Sequence, residues 1–412
     1  MQQNPLKSRK LIIFGAGKIG RSFIGQLFAH SGYEVVFVDI DRKLINELNR
    51  RGQYRVIIKG NEHQETISVK NVRGIHISEE ERIKEEVIRA GILAVSVGVQ
   101  NLSAIIPLVA RSLNARHQTF PGSPIDIIIG ENMRHGAKYV HDELSKSLDK
   151  EFPLNEYVGL VETSIGKMVP IMTKKEEEED TLLVFAEPYN NLIVDKKGFK
   201  NALPDVIGLD PKENIKAWVD RKLFIHNLGH ATAAYVGYLY NPDFIYIYEA
   251  LSVPRIKSFV LDTMFEAAII LLKMYPDDFT YTGLEEHIIE LVYRFENKHL
   301  KDTIYRVGKD LFRKLGPEDR LAGIINAGHS RQLHTDRILL SLVCGMFFRA
   351  TDEQGRLNKN DLSFISYFNT GIDHILKNVC AFDPGLHREI FQTARKYFQE
   401  LHEDPKNIFK YI

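Results

Sequence analysis

Residues 10–41 read "KLIIFGAGKIGRSFIGQLFAHSGYEVVFVDID", and the order of the parts in this stretch predicts the fold. Four apolar residues, Leu11 to Phe14, have the pattern of a buried strand and run directly into Gly15-x-Gly17-x-x-Gly20. Helical spacing then continues through Ala29, Gly32 interrupts it, and a second strand closes on Asp39. Gly15 permits a tight turn, Gly17 lets backbone approach a pyrophosphate, and Gly20 lets the helix pack closely on the strand. With Ala16, Lys18 and Ile19 between the glycines, the start of the helix offers free N–H groups and a positive dipole end to phosphates. A glycine loop with a strand before it, a helix after it and an acid ending the next strand is a dinucleotide site. Asp39 suits the adenine-ribose hydroxyls and would repel a 2′-phosphate, so NAD is expected over NADP. Arg42 close by is the one feature that weighs the other way.

Two later segments extend the sheet. "ILAVSVGV", residues 92–99, ends on Val97-Gly98, where small side chains let backbone lie along a cofactor. "IDIIIGENMRHGAKYVHDEL", residues 125–144, is a strand followed by a helix. Ligands of open α/β sheets bind at the carboxyl ends of the strands, which turns Asn132 toward the cofactor; the other reading is that Asn132 caps the next helix. "KKEEEED", residues 174–180, reads as a solvated loop or hairpin tip. "LLVFAEPYNNLIVDKKGF", residues 182–199, supplies one or two further strands, and from Asp210 onward the pattern is nearly all helical. The expectation is an α/β protein: a Rossmann-type, doubly wound sheet with extra strands over 1–205, then a mainly α-helical substrate domain over 206–412.

That second part opens with a concentration of polar chemistry, "RKLFIHNLGH" at residues 221–230. Asp210-Pro211 with Glu213 reads as a helix start, and Asn241-Pro242 as its end. The intervening "LGHATAAYVGYLY" is almost wholly apolar or small, so the helix is buried and its polar members need partners or a pocket. At about 100° per residue, Lys222, His226, His230 and Asn227 fall within an arc of roughly 140°. Periodicity alone leaves two readings open, satisfied core residues or the lining of a site.

Composition narrows the rest. Lys plus Arg and Asp plus Glu are equal at 54 each, so no global charge attracts nucleic acid or anionic membrane. The chain has 2 cysteines, Cys344 and Cys380, with no metal-type spacing, which favours a reducing compartment. The polar opening "MQQNPLKSRK" has no leader pattern, and the longest apolar run, 338–348, is too short to span a bilayer. A soluble cytoplasmic protein is the expectation.

Several stretches together carry a resemblance: "FGAGKIGRSFIG" (14–25), "GENM" (130–133), "IVDKKGFKNALPDV" (193–206), "RKLFIHNLGHATAAYVG" (221–237) and "RVGKDLFRKLGPEDRL" (306–321). The chain is similar to the polyol-specific long-chain dehydrogenase/reductase family over most of its length. The lysine with Asn five residues on and His eight on is the most specific element. The resemblance implies NAD-dependent, metal-independent oxidation of a secondary alcohol, with Lys222 as general base, Asn227 and Asn132 as amide donors to the alcohol oxygen, and His230 orienting substrate or lysine. It further implies a small-molecule substrate and a monomer or weak homodimer. Arg306, Lys309 and Arg313, read as one helix face at i, i+3 and i+7 with Lys314 and Arg320 nearby, then suggest a phosphate pocket. The expected substrate pair is mannitol 1-phosphate and fructose 6-phosphate, the alternatives being a fructuronate or tagaturonate reductase or a dehydrogenase of free polyols. One departure stands out: Gly166-Lys167 in "SIGKMVP" (164–170) occupies the place of the usual Asp-Arg.

Overall fold

In the computed structural model, which describes residues 8–412, the opening strand β1 (Lys10–Phe14) lies inside a sheet with strands on both sides of it. The other strands are β2 (Glu34–Asp39), β3 (Gln53–Lys59), β4 (Gln64–Lys70), β5 (Val72–His76), β6 (Ile92–Val95), β7 (Ile125–Ile129), β8 (Val158–Ser164), β9 (Val184–Ala186), β10 (Leu192–Asp195) and β11 (Leu209–Lys212). Eight of them form one sheet in the order β11-β10-β8-β7-β6-β1-β2-β5, while β4-β3-β9 form a smaller one. Every pairing from β5 across to β8 is parallel; β10 runs antiparallel to β8. Leu11 and Ile13 enter one core and Ile12 and Phe14 the other. Burial on both faces is why β1 reads as an unbroken apolar run, as strands of parallel sheets do. The chain leaves β1 for β2 on one side and reaches β6 on the other, so the topological switch point falls at the carboxyl end of β1, directly at the glycine loop.

Two compact units divide the chain, one through Val219 and the other Asp220–Ile412. Strand β11 therefore belongs to the first unit, beyond the 205/206 division read from the sequence. It also overturns the helix start expected at Asp210-Pro211: Leu209–Lys212 pair in parallel with Leu192–Asp195, and helix begins only at Ile215. Pro211 fits there because the strand closes the edge of the sheet, where a missing N–H costs little.

The acidic run 174–180 is a second correction. Lys174–Glu179 is a helix with a capping box in which Thr173 and Glu176 satisfy each other's backbone N–H. Asp180 at its end pairs with Arg51 at 2.7 Å and Arg55 at 3.0 Å. Long-range partners on β3 and the helix before it hold a segment whose composition alone suggests solvent.

Among the described residues every element of the second unit is a helix, apart from an isolated bridge between Tyr246 and Thr303. Its central helix, Leu228–Tyr240, is buried on nearly every side and packs on Pro254–Met274 and Asp336–Met346. Arg306, Lys309 and Arg313 do not share a helix face, contrary to the expectation. One helix ends at Gly308, Lys309 is extended, Asp310 has φ 75°, and a new turn runs Leu311–Lys314. Two contacts lie at the break. The buried Phe348 ring lies against Gly308 where a Cβ would project, and Asp361 accepts from the N–H groups of Asp310 (3.0 Å) and Leu311 (2.8 Å). The polar N-terminal residues 1–7 lie outside the described residues.

Gly308→Ala should accordingly lower stability by ~1–3 kcal/mol, the usual range for an overpacked methyl. Urea unfolding measures it, and trimming the ring in Gly308→Ala/Phe348→Leu should recover part of the loss; equal stability of wild type and Gly308→Ala would contradict this packing.

Candidate active site

At the carboxyl end of β1, Gly15 has φ 102° and sits so close to the Ser96 carbonyl that a side chain would overlap it. Around Gly17 the space is open, with no atom within 4 Å of a built Cβ. Asp39 fixes this loop from the end of β2: one carboxylate oxygen accepts from Ala16 N–H at 2.6 Å and the other from Asp41 N–H at 2.9 Å. Arg42 is turned to His76 at 3.2 Å. Arg21, buried in the same helix, donates to the carbonyls of Ala16 (2.7 Å) and Leu182 (2.8 Å). Lys18 pairs with Glu177 of the acidic helix at 3.1 Å, and both line a cavity of about 350 Å³ with Asp41 and Lys43. An open glycine, a carboxylate at the ribose end and N–H groups at a helix start fit a dinucleotide.

Val97 and Gly98 lie at the end of β6, Gly98 with φ 87°. Their N–H groups are held by the buried Glu131 carboxylate at 2.7 and 2.9 Å. Burial pushes that carboxyl up and the two N–H donors pull it back. Sequence reasoning passed over Glu131; its one signal was its place at the strand end beside Asn132. Asn132 is exposed in the loop after β7 and is not the cap of the next helix, whose N-cap is His135. Beyond β8, the departing pair is ordered by its own contacts: Lys167 is buried, donates to Asn190 Oδ1 at 2.8 Å and lies 5.2 Å from the Phe23 ring.

In the second unit the polar stretch is not a uniform α-helix. Ile215–Arg221 is α-helical, Lys222–Asn227 is a π-turn, and Leu228–Tyr240 resumes the α-helix. The arc drawn at 100° per residue therefore does not hold through it. In an α-helix Lys222 and Asn227 would point about 140° apart; i→i+5 bonding turns residues five apart toward one face, and such π-bulges gather at functional sites. Met264 lies where a side chain at Gly229 would stand, so the resumed helix sits hard against its neighbour.

Lys222 is partly buried, and its amine is drawn down to about 7 by burial and by Arg320, with Asp319 opposing. His226 and His230 are buried. Both share Phe295: His230 stacks on it at 4.4 Å and His226 meets its edge at 5.3 Å. Burial and surrounding cations hold both imidazoles well below the usual histidine range, hence neutral; for His230 the cations are Arg306, Arg320, Lys314 and Lys222. Lys314 is a second buried amine, pulled to about 6 by burial, then Arg320 and Arg313, with its Nζ on the Val307 carbonyl at 2.5 Å. Of the three expected phosphate ligands, Arg306 is bonded to Asp302, Arg313 to Asp310 (2.6 Å) and Asp319 (2.9 Å), and Lys309 lies 4.9 Å from the Tyr305 ring. Asp302, which no local sequence pattern singled out, is thus a member of this cluster.

A parallel sheet with a dinucleotide loop at its switch point, followed by a helical unit carrying a depressed lysine beside an asparagine and a neutral histidine, defines a nucleotide-dependent dehydrogenase. The profile of the mannitol dehydrogenase Rossmann domain matches residues 9–208, and that of the mannitol dehydrogenase C-terminal domain matches 214–379. The chain belongs to the mannitol dehydrogenase family and is an NAD-dependent polyol dehydrogenase. In fold it is similar to a D-sorbitol dehydrogenase in substrate-free form (15% identity, TM-score 0.81, 96% of this chain and 93% of that one). It is also similar to Pseudomonas fluorescens mannitol 2-dehydrogenase, whose structure is a ternary complex with NAD and D-mannitol (14% identity, TM-score 0.72, 99% and 96%). No helix among the described residues is long and apolar enough to cross a membrane.

A base must be unprotonated to accept the alcohol proton. If Lys222, whose amine lies near 7, is that base, alcohol oxidation should rise as pH increases through about 7, and carbonyl reduction, which needs the ammonium, should fall over the same interval. Pre-steady-state rates of hydride transfer across pH 5–10 measure both, and profiles unchanged in Lys222→Ala would remove the lysine from the step.

Proposed function

We propose that the chain interconverts a sugar-alcohol phosphate and its ketose phosphate, mannitol 1-phosphate and fructose 6-phosphate, as a dehydrogenase most like mannitol-1-phosphate 5-dehydrogenase. What supports an anionic substrate is the basic cluster of Lys314 and Arg320, both buried, with Arg306 half-exposed beside them, answered by only two paired carboxylates, Asp302 and Asp319. Cations gathered out of water are costly unless anions answer them. A phosphate monoester would supply charge beyond that of Asp302 and Asp319, and its arrival would return Lys314 toward its ammonium form.

Bound NAD supplies the hydride acceptor. Asp39 and the Gly15–Gly20 loop, including Ala16, Lys18 and Ile19, would hold its adenosine and pyrophosphate, with Val97 and Gly98 along it. The neutral Lys222 amine takes the hydroxyl proton, general-base help of this kind contributing ~100- to 10,000-fold. Asn227 donates amide N–H to the same oxygen as it gains alkoxide character, an interaction typically worth ~3 kcal/mol in the transition state. Nothing in this scheme requires a metal ion. A second reading, a free polyol as in the two structural relatives named above, is favoured by the carboxylates already paired with Arg306 and Arg313. A hexuronate, also anionic, would satisfy the same cations.

Steady-state assays decide among these. kcat/KM for mannitol 1-phosphate should exceed that for mannitol, sorbitol and hexuronates by about 100-fold or more, on the order of two charge-assisted hydrogen bonds. Comparable values for mannitol would shift the assignment to free polyols. The cofactor is checked alongside: NAD should be strongly preferred, and Asp39→Ala, which removes the charge facing a 2′-phosphate, should narrow the gap. Because Asp39 also holds Ala16 N–H, that variant should bind both cofactors more weakly; a wild type that favours NADP would refute the ribose assignment.

A further inference from the structure

His230 carries two nitrogens, and a neutral ring donates from one and accepts at the other. Which one donates decides what it can do for a substrate. Its Nε2 is wholly inaccessible and lies 3.3 Å from Asp302 Oδ2, with neither atom in an aligned hydrogen bond. The side chain still has 11% of its surface accessible, and Nε2 contributes none of it. Any group reaching the ring from solvent therefore meets it away from Nε2, and Nδ1 is the one other nitrogen it carries.

Asp302 is in no position to move away. Its side chain is 6% exposed, and Arg306 engages its other oxygen. Its carbonyl accepts from Ile247 N–H at 2.9 Å, and the adjoining Thr303 bridges Tyr246. The ring is equally confined, stacked at an interplanar angle of 6° on the buried Phe295. A carboxylate and an imidazole fixed at 3.3 Å leave only one comfortable arrangement, an N–H between them, because two acceptors facing each other out of water would be repulsive and unsatisfied. Catalytic hydrogen bonds are often loosely aligned before substrate arrives and tighten in the complex.

We propose that Asp302 is the positioning residue for His230: it holds the ring as the Nε2–H tautomer, leaving Nδ1 as a bare acceptor for a substrate hydroxyl. Arg306, on the other carboxylate oxygen, then helps to aim Asp302. This rests on the reading above that His230 meets the substrate, but the tautomer itself does not depend on which polyol is used.

The test is nuclear magnetic resonance of full-length protein labelled with 15N-histidine, the His230 signals being assigned by their absence in His230→Ala. Long-range proton–nitrogen spectra distinguish the two tautomers directly, and wild type should show Nε2–H. In Asp302→Asn the amide can donate to Nε2, so the ring should turn over to Nδ1–H. Turnover should then fall by at least about tenfold, as when an orienting carboxylate is lost, with NAD affinity unchanged and Asp302→Glu restoring part of the rate. Nδ1–H in wild type would overturn the proposal even if no Asp302 variant folded, and so would an Asp302→Asn protein that flips the ring and keeps its turnover. Failure of the substrate assignment is a separate outcome, read from the steady-state assays and leaving the tautomer result standing.

Discussion

Taking positive charge out of water governs the second unit. Lys314 and Arg320 are buried, Lys222 partly so and Arg306 only half, and a buried ion without full compensation gives up its charge before it gives up its place. The two lysines therefore drift toward neutrality, to about 7 and about 6, whereas the arginines, which keep their protons, take carboxylates: Asp302 for Arg306, Asp319 for Arg320. This division of labour follows from side-chain chemistry, since an ammonium shifts readily and a guanidinium does not. It leaves a reactive amine in a setting whose remaining cations are held in fixed geometry.

The widened turn at Lys222–Asn227 is the backbone's share of the same arrangement. A regular helix would have turned the lysine and the asparagine apart, and the helix that follows cannot adjust for them because Met264 presses on Gly229. One residue's worth of extra winding brings the pair to one face. In the first unit the corresponding device is a carboxylate at each strand end. Asp39 pins the glycine loop through Ala16, and Glu131 pins Val97 and Gly98. Each fixes backbone that a cofactor would otherwise have to order for itself, lowering the entropy lost on binding.

Legibility in the sequence followed the range of the interactions. The strand, glycine loop, helix and acid at residues 10–41 were readable because each part is decided by neighbours within a few residues. The strand carrying Pro211 was misread as a helix start, since Asp-Pro-x-Glu is a good local cap and only pairing with Leu192–Asp195 overrides it. The acidic run 174–180 is solvated as its charges suggest, but it is a capped helix rather than a loop or hairpin tip, and the arginines that hold Asp180 lie on distant segments.

By itself, the sequence determined the glycine loop between a buried strand and a helix, the α/β character of the first part with helices after it, and the place of the polar stretch 221–230 in a helix that is otherwise buried. Tertiary structure alone decided which charges stand free. It broke the basic face after Gly308, where Asp361 takes the N–H groups of Asp310 and Leu311, and it spent Arg306 and Arg313 on carboxylates. It also brought Asp302 to His230 across the intervening helices. Hydrogen-bond patterns and glycine geometry are written into adjacent residues, but burial and charge compensation are properties of whatever the fold brings together.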